Sequence, residues 1–208
     1  MGSKGDRTPK ELNDSWRTRA DEFWRWFASV ADQFGAAFEN HLLIRELDAR
    51  VARLGDLGWE IGPGAREPHA LSLSPGGDRE MLSHTRAIVS AAPSIPDWEF
   101  HPAKPPKEWT PVFEIQDDEG DAVEVDASEW TFVLVRYPDG STEAMVEAAN
   151  LGHVSPERRR WAAEIVLDGL LGEEKRLNDI DNVTVVDRLD DAMKMSAKPI
   201  AALARQTP

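Results

Sequence analysis

The sequence predicts an α+β fold: an antiparallel-rich sheet from two strand-strand-helix-strand units, helices on one side, and an N-terminal aromatic helical hairpin packed on it. Three observations carry this expectation. The ring-rich stretch Phe23-Trp24-Arg25-Trp26-Phe27 sits in the middle of an apolar stripe at helical spacing. The order strand, strand, helix, strand is met twice, over 57–101 and over 130–186. Residues 102–111, PAKPPKEWTP, hold four prolines, which excludes regular helix and a central strand. That stretch reads as an extended linker between the halves 12–101 and 112–187 of one domain. Residues 1–11 read as a flexible lead and 188–208 as a tail with one short helix through Leu189 and Met193.

The first helix is marked by Leu12, Trp16, Phe23, Phe27, Val30 and Phe34, three, four or seven residues apart, and its stripe runs on to Phe38. At about 100° per residue, Phe23, Trp26 and Phe27 share the apolar face, Trp24 lies at its edge and Arg25 points away. Trp24 and Arg25 are therefore the members expected to see solvent. Asn40 is placed to cap a second helix with the stripe Leu43, Ile44, Leu47, Val51 and Leu54, stopped by Gly55. Residues 57–62 and 69–74 alternate as half-buried strands, each closed by Gly and Pro. Asp78 is the expected cap of a third helix, ended by Pro93, and 98–101 alternate again.

Beyond the prolines, 112–115 and 123–125 read as strands about an acidic turn. Residues 130–137 are the strongest strand signal, and Pro138-Asp139-Gly140 turns the chain into a return strand. Ser155-Pro156-Glu157 is a helix start with a capping hydroxyl, proline in the first turn and an acid at the positive dipole end. That helix runs to Leu171 with Gly172 as its stop, and 183–186 form a final strand.

Acids outnumber bases 38 to 24, a net charge of −14. Such a surface repels phosphate backbones and argues against nucleic acid as a partner. It favours encounter with a basic protein. With no cysteine, disulfides and thiolate metal sites are excluded, which suits the cytoplasm. No apolar run approaches the length of a membrane helix and the N-terminus has no secretory h-region, so no membrane partner is expected.

An N-terminal helix with Phe-Trp-x-Trp-Phe, the strand GWEIGP, the passage PSIPDWEF and the late VLDGLLGE, residues 166–173, together resemble a loose family of uncharacterised bacterial proteins of this size. The resemblance implies a bacterial source and supports the α+β expectation. It brings no activity and no catalytic residue.

Few residues nominate chemistry. The five histidines show neither i, i+4 pairing nor an HExxH grouping, and no metal site or cofactor is expected. Phosphate loops and the GxSxG nucleophile elbow are absent. The acidic run 117–126 fails the calcium-loop register, because counting back from Gly120 puts Ile115 at the first ligand position. Glu99 and His101 share one strand face, opposite Trp98 and Phe100: a pair suited to metal binding or proton transfer, although a solvent-facing strand side explains the alternation equally well. Glu60, beside Trp59 in a strand, and Asp168, which interrupts an apolar helix, complete the catalytic candidates. The fourth helix puts Trp161, Ala162, Ile165, Val166 and Gly169 on one face, with Leu167 and Leu171 nearly opposite. A helix apolar on two sides is either deeply buried or contacts a partner. Trp24, Arg25, Leu167 and Leu171 are thus the ligand- or partner-contact candidates.

These readings converge on a non-catalytic acidic protein-interaction module, a regulator or immunity-type binder of a basic partner, for which a homodimer is also compatible. The alternative is an enzyme or small-ligand protein with a pocket between sheet and aromatic helix, using Glu60, Glu99, His101 and Asp168.

Overall fold

The computed structural model describes residues 9–36 and 40–205. The expectations for Leu12, Phe38 and residues 1–8 of the lead lie outside the described residues and side chains, whereas residues 9–11, read as part of that flexible lead, open the first helix. The chain divides into two compact units, Met1–Ala103 and Lys104–Pro208, and the division falls within the proline-rich stretch.

In unit 1, helices α1 (Pro9–Ala36) and α2 (His41–Leu54) precede β1 (Gly58–Pro63), β2 (His69–Ser74), α3 (Met81–Ser90) and β3 (Trp98–His101). The Asn40 side chain accepts a hydrogen bond from the Leu43 N–H, the capping that its position promised. Asp78 acts one turn earlier than expected: it bonds the Glu80 N–H, and α3 itself begins without a side-chain cap. The sheet order is β1-β2-β3, with β1–β2 antiparallel and β2–β3 parallel. Register puts Trp59 beside Leu73, and Ile61 and Phe100 beside Leu71, on one face. That face lines a core with Phe23, Trp24, Phe27 and Phe34 of α1, Leu47 and Val51 of α2 and Ile88 of α3. All three helices therefore serve one side of the sheet. Phe27 sits edge-on to Trp98 at 5.0 Å and stacks on Phe34 at 5.6 Å, the offset arrangements that ring quadrupoles favour.

Unit 2 contains the hairpin β4 (Val112–Gln116) and β5 (Ala122–Asp126), then β6 (Thr131–Arg136), β7 (Thr142–Glu147), α4 (Pro156–Leu171), α5 (Glu173–Asp179), β8 (Asn182–Val186), α6 (Asp191–Lys194) and β9 (Lys198–Pro199). β4 and β5 pair with each other; the second sheet has the order β8-β7-β6-β9. β6–β7 is antiparallel, β7–β8 parallel, and the two-residue β9 closes the outer edge of β6. Ser155 caps α4 by accepting from the Arg158 N–H, as its sequence position predicts. The core is mainly aliphatic, with Ala144, Val146, Leu151, Val166 and Leu167 around Trp130 and Phe132. Helix α5 and strand β9 are additions to the expected elements.

Candidate functional site

The Glu99–His101 pair expected from strand alternation exists, and its surroundings define its chemistry. Asp97, immediately before β3, adopts φ 64°, a left-handed conformation that Asp tolerates better than most side chains. Its carbonyl accepts the His69 N–H at 3.0 Å, joining the start of β3 to the start of β2. Two residues on, the Glu99 side chain reaches the loop between β1 and β2. Its carboxylate accepts from the Ala65 N–H at 2.6 Å, the Arg66 N–H at 3.2 Å and Arg66 Nε at 3.4 Å. His101 Nε2 lies 3.1 Å from the same carboxylate.

Glu99 is buried, contrary to the solvent-facing alternation expected of it, because the loop folds over it. The Ala65 N–H, then His101 and the Arg66 N–H, hold its carboxyl down to about 2 against the opposing effect of burial. A carboxylate so fully bonded is a poor proton acceptor at neutral pH, and it acts as a clasp on the loop. Glu60 lies on the same sheet face, in a cross-strand row with Ser72 and His101, one strand removed from the clasp. Beside β3 lies an open cleft of about 370 Å³ whose walls are Arg66, Glu67 and Glu99 on the polar side and Val89, Trp98 and Phe100 on the apolar side. Of the three, Glu99 lines this cleft, and Glu60 and His101 do not.

Asp168 stands in the other unit, on α4. Its carboxylate bonds Arg176 Nε of α5 at 2.8 Å, and both side chains are largely withdrawn from water. Burial pushes the Asp168 carboxyl up, and Arg176 opposes that rise. Glu173, 1% exposed, receives the Lys104 N–H at 3.1 Å and donates its own N–H to the Lys104 carbonyl at 2.9 Å. This cluster therefore ties α4, α5 and the proline-rich stretch together; the sequence offered Glu173-Glu174 only as acids at an unfavourable helix end and did not point to Arg176. The acids at the end of α4 were the visible signal: Glu173 and Glu174 stand in the first turn of α5, where the dipole favours them.

The contact candidates divide. Trp24, expected to see solvent, is 2% exposed and donates its indole N–H to the Ile88 carbonyl at 2.8 Å, because α3 covers the flank of α1 that the stripe leaves open. Arg25 is exposed. Leu167 is wholly buried in the unit 2 core and offers no surface, whereas Leu171 is half-buried. Trp161, assigned to an apolar face, is 45% exposed with Arg158 5.7 Å from its ring centroid.

Among the described residues no group of three or more His, Asp or Glu could hold a metal ion, and no helix is long and apolar enough to cross a membrane. No protein-family model, curated protein or solved structure matches this chain.

Proposed function

We propose that this is a non-catalytic binding module of the bacterial cytoplasm, whose second unit offers an acidic surface to a basic protein rather than to nucleic acid. The supporting observation is the outer face of the β4–β5 hairpin. Residues 112–130 contain eight Asp and Glu and no Lys, Arg or His. Glu114 and Glu124 stand directly opposite each other, both exposed, and neither has a cation at ion-pair distance among the described residues. Like charges paired across strands destabilise the hairpin that carries them, and a cationic partner relieves that cost. The net charge is uneven too: unit 2 holds 22 acids and 12 bases, unit 1 holds 16 and 12. Two of the four catalytic candidates, Glu99 and Asp168, are engaged in structural bonds, which supports a binding reading over a catalytic one.

The test is affinity capture from the source lysate at about 50 mM and about 500 mM salt, over which exposed charge pairs are screened. A basic protein should be retained at low salt, lost at high salt, and lost at low salt by a Glu114→Lys/Glu124→Lys variant but not by Asp21→Lys/Asp32→Lys. Retention of the same partner by the hairpin variant would overturn the assignment.

The cleft beside β3 favours one second reading, a small-ligand site with an ionic and an apolar wall. A small-molecule screen by thermal shift tests it: hits abolished by Arg66→Ala support it, and hits indifferent to Arg66 exclude it.

A further inference from the structure

The proline-rich stretch does not hang free of unit 2. Along residues 104–109 the chain runs over the junction of α4 and α5 and is held at successive points. The Lys104 N–H and carbonyl engage Glu173, and the Lys107 N–H donates to the Gly169 carbonyl at 2.7 Å. Between and beyond these bonds, two glycines make room. A Cβ on Gly169 would lie 2.6 Å from the Trp109 ring, and one on Gly172 would lie 2.9 Å from the Pro106 ring. Gly172 also sits at φ 80°, so any side chain there would be strained as well as crowded. Trp109 closes the seat by packing on Gly169 and tilting against Phe113 at 5.6 Å. Its indole N–H is buried without a hydrogen-bond partner, so the seat recognises the ring by shape.

Backbone bonds at fixed intervals, a slot for a proline ring and a slot for an aromatic are how protein surfaces read extended peptides. A proline-rich segment suits such reading because its backbone is already extended and loses little freedom on docking. We infer that the α4–α5 junction is a peptide-recognition groove for extended Pro-Pro-x-x-Trp segments, occupied here in cis by the chain's own residues 104–109. The buried Asp168–Arg176–Glu173 cluster is its floor: it fixes α5 against α4 and presents the Glu173 carboxylate to the backbone of the incoming segment. This groove is separate from the acidic hairpin face, and either assignment can fail alone.

The experiment uses the full chain with Trp109→Ala, which loosens the resident segment and leaves the groove intact, and a fluorescently labelled synthetic peptide of the sequence KPPKEWTP. Anisotropy should report saturable binding to the variant. Binding to the wild-type chain should be at least about tenfold weaker, because a tethered competitor is present at roughly millimolar effective concentration. A peptide with phenylalanine for tryptophan should still bind, since the indole N–H makes no bond; one with alanine should lose about tenfold or more. Should Trp109→Ala not fold by circular dichroism, Lys107→Pro replaces it, removing the N–H that reaches Gly169. No saturable binding to a folded variant, or equal binding of the alanine peptide, would overturn the inference.

Discussion

The two units repeat one chain path. In each, an antiparallel hairpin is followed by a helical crossover and a third strand that pairs parallel to the second: β1-β2-α3-β3 in unit 1, and β6-β7-α4-α5-β8 in unit 2. In each, a carboxylate at the start of the third strand reaches the hairpin's turn. Glu99 bonds Ala65 and Arg66 in unit 1; Asp181, just before β8, accepts the Thr142 N–H at 2.8 Å in unit 2. The coverings differ. Unit 1 seals its sheet with a separate helical hairpin full of rings, whereas unit 2 uses its own crossover helix over aliphatic side chains. Unit 2 also closes the edge of its first strand with β9, while the corresponding edge of β1 carries no strand among the described residues. A common path is thus compatible with two kinds of core, because hairpin turns and crossover lengths fix the path and the core has only to fill the space beneath it.

The sharpest way to break this comparison is to remove the covering that unit 1 alone possesses. Trp24→Ala deletes a fully buried ring together with its indole hydrogen bond to the Ile88 carbonyl, so it should cost about 3–5 kcal/mol, read from urea unfolding. A loss below about 1 kcal/mol would mean that α1 is not what seals the sheet.

The two clasps come next. Glu99→Gln should cost about 1.5–3 kcal/mol, since charged hydrogen bonds are lost in a buried setting, whereas Asp181→Asn, at an exposed position, should cost about 0.5–1.5 kcal/mol. The Glu99 clasp is also sensitive to pH. The folded-state carboxyl of Glu99 lies at about 2, below its ordinary 4.5, so its contribution is complete above about 4.5 and is lost as pH falls toward 2. Acid titration of stability should therefore be shallower in Glu99→Gln across that window; an unchanged profile would show that the clasp is not formed.

The smallest expected effect sharpens the charge contrast. Glu124→Gln removes one member of the opposed Glu114–Glu124 pair and should raise stability by a few tenths of a kcal/mol, seen as a slightly higher Tm. A lower Tm would indicate that this face is not electrostatically strained.

Much of the path was legible because caps and stripes are local. Asn40, Ser155 and Gly172 stand where their backbone roles predict, and the alternation at 57–62, 69–74 and 98–101 marked real strands. What escaped depends on neighbours distant in sequence. Trp24 lies at the edge of its own stripe, and only α3 decides that the edge is covered. Glu99 follows strand alternation in direction, but the loop that buries it is set by the β1–β2 turn. Helix α5, EEKRLND, has no apolar stripe: it forms around Leu177 and the buried Arg176, whose partner is eight residues earlier. Two-residue β9 is too short to leave any period. The prolines excluded regular structure over 102–111, as expected, without revealing the surface that receives them.

That seating changes where the molecule can be dissected. Composition invites a cut anywhere among the prolines, and a protease that needs a pliable substrate would be expected to nick there. Since Lys104 to Trp109 are fastened to α4 and α5, a fragment beginning after Pro111 would lose its own N-terminal brace and uncover the small-residue slots beneath, whereas one beginning at Ala103 would keep both.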